Sequence, residues 1–205
     1  MTESTFADQA YDHILGQIIR CELRPGDLLD RKLVAEKLDI SLIPVSDAVQ
    51  RLAYEGLLTT RRRQGTFVSS PSIEDVRGHL LLREALECQS ARLYCGEKIK
   101  AAYQSILPLA ESIDQTAAAG EPFFFKEFEF HQALVSLTEC KALIQCFQRV
   151  VNLSLFHEVS VIRPMRPVTF EKHVDLIDDL CNASSDQAEA RIRKHIRAGK
   201  AGLLE

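Results

Sequence analysis

The stretch from Asp30 to Val68 leaves this chain few ways to fold. Asp30 can cap a short helix through Leu38, with an apolar stripe of Leu33, Val34 and Leu38. Asp39-Ile40 turns the chain, and Ser41 can cap a second helix. Pro44 falls in that helix's first turn, where its missing N–H removes no hydrogen bond. Val45, Ala48, Val49 and Leu52 recur at helical spacing as the buried side, and Gly56 is placed to end the helix. Residues 57–60 and 66–68 then read as two short strands around Arg61-Arg62-Arg63-Gln64-Gly65. Upstream, Ala10, Tyr11, Ile14, Leu15 and Ile18 fit one helix over 6–20, followed by a Pro25-Gly26-Asp27 turn. Three helices and a hairpin with cations at its tip make a winged helix-turn-helix. Taken alone, the arginine run is either a solvated turn or a contact to DNA phosphates and grooves.

Ser69-Ser70-Pro71-Ser72 is a polar break, dividing the chain into domains 1–70 and 71–205. Beyond it strand signals nearly vanish. Helical spacing predicts helices over 73–97, 101–119, 123–138, 141–158, 169–182 and 186–199. Pro108 marks a local irregularity, and Arg163-Pro164-Met165-Arg166-Pro167 a rigid loop. The first of these helices carries Val76, Leu80, Arg83, Leu86, Glu87, Ser90 and Leu93 along one side. The expected fold is therefore mainly α, a winged helix-turn-helix with a small β-hairpin wing followed by an all-α bundle of about six helices.

Composition narrows the setting. The first 70 residues hold 9 Lys+Arg against 10 Asp+Glu, and the whole chain carries a formal −4, so no broadly basic coat surrounds the protein. There is no apolar run long enough to span a membrane and no signal-peptide pattern at the N-terminus, which points to a cytoplasmic protein with no membrane partner. The six cysteines form no CxxC pair, and most lie among apolar neighbours, reading as buried free thiols.

Within the second domain, Phe123, Phe124, Glu127, Phe130, His131 and Leu134 share one helical face. A carboxylate and an imidazole one turn apart in apolar surroundings need a partner. Either a mutual hydrogen bond or a metal ion would serve. His173 and His195 lie on apolar stripes of two later helices, so a bundle core could bring all four groups together. Arg83, a cation on a mostly apolar face, is a candidate for holding an effector carboxylate, and a structural pair with Glu87 is the alternative.

Two resemblances sharpen these readings. The Pro-Gly-Asp turn, Ser41, Pro44-Val45, Ala48, Arg51-Leu52, Glu55-Gly56-Leu57 and Gly65-Thr66-Phe67-Val68 resemble the N-terminal domain of the GntR family of bacterial transcription regulators. The family usually carries Ser-Arg-Thr-Pro-Val-Arg-Glu-Ala-Leu along its recognition helix. This chain has Ser41-Leu42-Ile43-Pro44-Val45-Ser46-Asp47-Ala48-Val49, so both arginines are replaced. The resemblance implies double-stranded operator DNA as partner, met by Ser41, Ser46 and Gln50 and by Arg61, Arg62, Arg63 and Gly65 of the wing, in a homodimer.

The second domain is similar to the helical effector domain of the FadR branch of that family. Glu127 through His131, Glu171-Lys172-His173 and Ala190 through Ile196 match its metal-binding helices, and Arg83-Glu84-Ala85-Leu86-Glu87 its arginine-bearing motif. The resemblance implies a divalent metal, zinc first with nickel or manganese as alternatives, held by Glu127, His131, His173 and His195 beneath a site for a small anionic metabolite. Glu127 replaces the usual aspartate. The expected function is a non-enzymatic, metabolite-responsive DNA-binding regulator. The alternatives are a regulator-like interaction module with weakened operator recognition and a metal-dependent hydrolase.

Overall fold

A computed structural model describes residues 4–121, 123–162 and 171–198. The chain divides into two compact units, the first running to Ser72 and taking in a short segment from Phe156, the second starting at Ile73.

In the first unit, local capping sets each helix start. Thr5 and Asp8 cap α1 (Phe6–Ile19) reciprocally, each backbone N–H donating to the other's side chain at 3.2 Å. Asp30 Oδ1 accepts from the Lys32 and Leu33 N–H groups at 2.9 and 3.2 Å to open α2 (Arg31–Leu38). Asp39 closes that helix in the left-handed conformation, at φ 53°. Ser41 precedes α3 (Leu42–Tyr54), although its hydroxyl makes no cap bond. Buried Ala10, Ile14, Ile18, Val34, Val45, Ala48, Val49 and Leu52 fill the space between the three helices. Leu33 does not join them: it is 61% exposed, because α2 meets α1 and α3 through Val34 and Ala35 instead. Arg51 lies 4.3 Å over the Tyr11 ring and reaches Asp8 at 2.7 Å, tying α1 to α3.

The wing pairs β1 (Leu58–Arg61) antiparallel with β2 (Gly65–Val68), Leu58 opposite Val68 and Arg61 opposite Gly65. Residues 26–29 run along the other side of β2, with the Leu29 N–H donating to the Thr66 carbonyl at 2.8 Å.

The second unit is built from α4 (Ile73–Tyr94), α5 (Glu97–Ala118), α6 (Phe124–Ser136), α7 (Lys141–His157), α8 (His173–Asn182) and α9 (Ser185–Arg197), while the last two residues of α7 and the π-helical turn Glu158–Ile162 that follows belong to the segment grouped with the first unit. The mainly α expectation, wing included, describes this fold. The first long helix stops at Tyr94 rather than at 97, because Gly96 takes φ +72° and starts α5. Pro108 sits on the exposed side of α5, which continues through it. Leu93, expected on the inner stripe, is exposed. The 163–167 loop lies outside the described residues. All six cysteines are free, but only Cys88 and Cys181 are buried, while Cys21 and Cys146 are exposed. Among the described residues no helix is long and apolar enough to cross a membrane.

Helix α6 is apolar on two sides. Phe130 and Leu134 enter a core with Ile99, Ile113, Leu176, Leu180 and Ile192, while Phe128 and Val135 pack on Phe147 and Val151. His131, between them, is held at full burial.

Candidate metal centre

Three helices deliver the imidazoles: His131 from the middle of α6, His173 from the first position of α8, and His195 from the last turn of α9. All three are buried, and one nitrogen from each lies within 4.8 Å of the other two. His131 and His195 meet through their Nε2 atoms, 3.2 Å apart.

The opposite side of each ring faces a carboxylate from a different element. His131 Nδ1 is 2.5 Å from Glu87 Oε2 on α4. His195 Nδ1 is 3.1 Å from Glu171 Oε2, just before α8. His173 Nδ1 is 3.2 Å from Asp114 Oδ1 on α5. A carboxylate on Nδ1 fixes the proton there and turns the Nε2 lone pair toward the centre. Two such lone pairs 3.2 Å apart in a dry interior repel unless a cation or a shared proton stands between them. That separation also suits a tetrahedral metal, whose ligands at about 2.0–2.1 Å sit about 3.3 Å from each other. The donor set fits a divalent ion.

Charge is arranged to favour neutral rings at His131 and His173 and ionised carboxylates at Glu87 and Glu171. Burial lowers the His131 pKa against the opposing pull of Glu87. Burial, reinforced by the two neighbouring histidines, lowers His173 to about 4. Burial would raise Glu87, but Arg83 and His131 outweigh it and hold that carboxyl at about 2. For Glu171, hydrogen bonding from His195 comes first, with help from Arg191, and brings it to about 2.

Arg83 pairs with Glu87 through Nε at 2.6 Å, lies 4.5 Å over the Phe128 ring, and is 1% exposed. Its Nη2 is 4.0 Å from Glu127 Oε1, an oxygen also 3.9 Å from His131 Nε2. Glu127 therefore brings one carboxylate oxygen beside both Arg83 and His131.

Sequence reasoning missed Asp114 altogether, and placed Glu87 and Glu171 only as a pairing partner and a motif residue. Asp114 also caps α8 from outside, accepting from the His173 and Val174 N–H groups at 2.8 and 3.2 Å. Its partners stand 59 and 60 residues away, so no local pattern reveals them.

In the first unit, Ser41 just before α3 and Gln50 on it are exposed, while the Ser46 hydroxyl donates to the Leu42 carbonyl at 2.9 Å. Arg61, Arg62 and Arg63 are exposed at the wing tip, with Arg61 4.9 Å over the Phe67 ring. Gly65 takes φ +125°, and a Cβ there would lie 2.6 Å from Leu28 Cδ1, so geometry alone calls for glycine.

Comparison with known proteins agrees with this architecture. Residues 6–68 match the family described as bacterial regulatory proteins, gntR family, and residues 80–198 match the FCD domain. The chain is 26% identical over 198 residues to the HTH-type transcriptional repressor RspR of Escherichia coli, covering 92% of this chain and 85% of that one. It is 27% identical over 187 residues to the Nta operon transcriptional regulator of Aminobacter aminovorans, covering 89% and 87%. Among solved structures, a GntR regulator from Rhodococcus superposes with a TM-score of 0.74 at 19% identity, over 97% of each chain. McbR/YncC of E. coli gives the same TM-score at 18% identity and the same coverage. With the FCD match spanning more than half its length, the chain belongs to the GntR regulators of the FCD type, which are DNA-binding transcription regulators rather than enzymes.

Proposed function

We propose that residues 1–70 bind a double-stranded operator within a cytoplasmic homodimer, and that residues 71–205 tune this binding through a small carboxylate metabolite held beside a divalent metal. The observation that carries the metal half is the buried triad of His131, His173 and His195, each ring backed by its own carboxylate. Under this reading the three histidines hold the ion, zinc first with nickel or manganese as alternatives, and Glu127 is the fourth protein ligand. The bound ion supplies a positive centre for the metabolite's carboxylate. Arg83 adds a second cation, kept in place by Glu87.

The DNA half rests on Ser41 at the head of α3, on Ser46 and Gln50 within it, and on Arg61, Arg62, Arg63 and Gly65 of the wing. Helix α4 carries both Arg83 and Glu87 and begins directly after the polar break, so a shift of α4 on metabolite binding would change the spacing of two recognition helices on a two-fold operator.

The test is a gel-shift titration of the full-length protein on DNA flanking its own coding region, metal-loaded and after chelator treatment, with a panel of small carboxylates. A salt-sensitive, sequence-preferring complex is expected, with affinity that responds to metal removal and to at least one carboxylate. Absence of any such complex under every condition sinks the proposal. That outcome would favour a second reading, an interaction module with weakened operator recognition, motivated by Leu42 and Ser46 standing where the family has arginines.

A further inference from the structure

Helix α3 has two unlike faces. Val45, Ala48, Val49 and Leu52 are buried in the first unit's core, whereas Ile43, Asp47, Gln50 and Tyr54 form an exposed stripe at helical spacing. At its N-terminal end stand two large aliphatic side chains, Leu42 at 46% exposure and Ile43 at 74%. Neither contributes to the core, and both leave apolar surface in water that an occupant would remove. In a helix-turn-helix, the first residues of the recognition helix are the ones that meet base edges in the major groove. The one apolar group displayed there is the C5-methyl of thymine.

We propose that this regulator reads its operator half-site through thymine methyl groups, with Leu42 and Ile43 as the residues that contact them. The inference rests on the DNA-binding reading above and adds the chemistry of recognition. Two further features agree with A·T pairs in the half-site. Gln50 is exposed two turns along the same stripe as Ile43, and a glutamine amide pairs bidentately with adenine N6 and N7. Arg61, Arg62 and Arg63 stand exposed at the tip of the wing, and arginines are drawn to the narrow minor groove of A·T-rich DNA. Leu42 cannot make the bidentate guanine contact that arginine makes, so guanine gains nothing at that position.

Deoxyuridine provides the test, because replacing thymine with uracil removes the methyl and leaves base pairing intact. Binding sites are first selected from a library of random duplexes with the full-length wild-type protein. Each thymine of the selected site is then replaced singly by deoxyuridine and affinities are measured. One or two positions per half-site are expected to lose about fourfold each, the value of one buried methyl. Leu42→Ala and Ile43→Ala, both at exposed positions, are expected to abolish that sensitivity at their own thymine while the protein stays folded. A selected site whose affinity is unchanged by every uracil substitution overturns this inference and leaves the regulator reading standing. Failure to select any site overturns both.

Discussion

Asp114 uses one carboxylate for two purposes. Oδ1 accepts from the His173 N–H and contacts that residue's Nδ1, while Oδ2 accepts from the Val174 N–H. The two roles separate by substitution. Asparagine is about as good a helix cap as aspartate, so Asp114→Asn is expected to leave stability within about 0.5 kcal/mol. It has a single acceptor oxygen and no charge, and cannot serve the backbone and also polarise the imidazole. Removing a carboxylate that backs a metal-bound histidine lowers affinity about 10- to 100-fold. Bound metal after dialysis against a graded chelator is therefore expected to fall in Asp114→Asn, and further in His195→Ala, with the melting temperature of Asp114→Asn almost unmoved. Equal retention by wild type and Asp114→Asn would mean that packing alone orients His173. Equal retention by wild type and His195→Ala would mean that the triad holds no ion.

At the scale of elements, the wing makes the same kind of separation possible. Gly65 faces two constraints: φ +125°, and a Leu28 methyl 2.6 Å from where a Cβ would sit. Leu28 is a flexible, exposed side chain and can move, but the backbone angle cannot be relieved. Gly65→Ala is expected to weaken the hairpin by about 1–2 kcal/mol, the scale of a left-handed backbone penalty. Amide exchange across 58–68 should then accelerate by about tenfold, and adding Leu28→Ala should restore only part of it. Unchanged exchange would remove the strain account. Elements were the most legible level of this chain, since caps such as Asp30 and periodic stripes such as Val45-Ala48-Val49-Leu52 act within a few residues of themselves. Burial read from spacing alone failed at Leu33 and Leu93, because which face of a helix meets its neighbours is decided by packing. The histidines were legible for their residue type on apolar stripes. Their carboxylate backers were not, because Glu87, Asp114 and Glu171 reach them across 44, 59 and 24 residues of chain. The Arg83-Glu84-Ala85-Leu86-Glu87 motif becomes physical only in the fold: Arg83 and Glu87 meet beside His131, while buried Glu84 accepts from Arg197 at 2.6 and 2.9 Å and ties α4 to α9.

For the whole molecule, charge sets a problem that geometry must answer. The chain carries a formal −4, and residues 1–70 sum to −1 from 9 basic and 10 acidic side chains, so no diffuse attraction to DNA is available. Affinity on the proposed reading has to come from local charge, and Arg61, Arg62 and Arg63 concentrate three exposed cations at one hairpin tip. A two-fold dimer doubles them to six. If all six neutralise phosphates, they account for about 5 units of the slope of log affinity against log salt, or about a thousandfold in affinity across a fourfold change in salt. The triple substitution to alanine at 61, 62 and 63 is therefore expected to flatten the salt dependence by that amount. It should leave the uracil sensitivity of the half-site unchanged, since phosphate contacts position the protein and base contacts specify the sequence. The measurement is a series of binding isotherms between about 50 and 200 mM salt for both proteins on one selected duplex. A slope unchanged by the substitution would place the three arginines in solvent and require the phosphate contacts to come from elsewhere, with the exposed Ser41 hydroxyl and the first amides of α3 the nearest donors on the recognition helix.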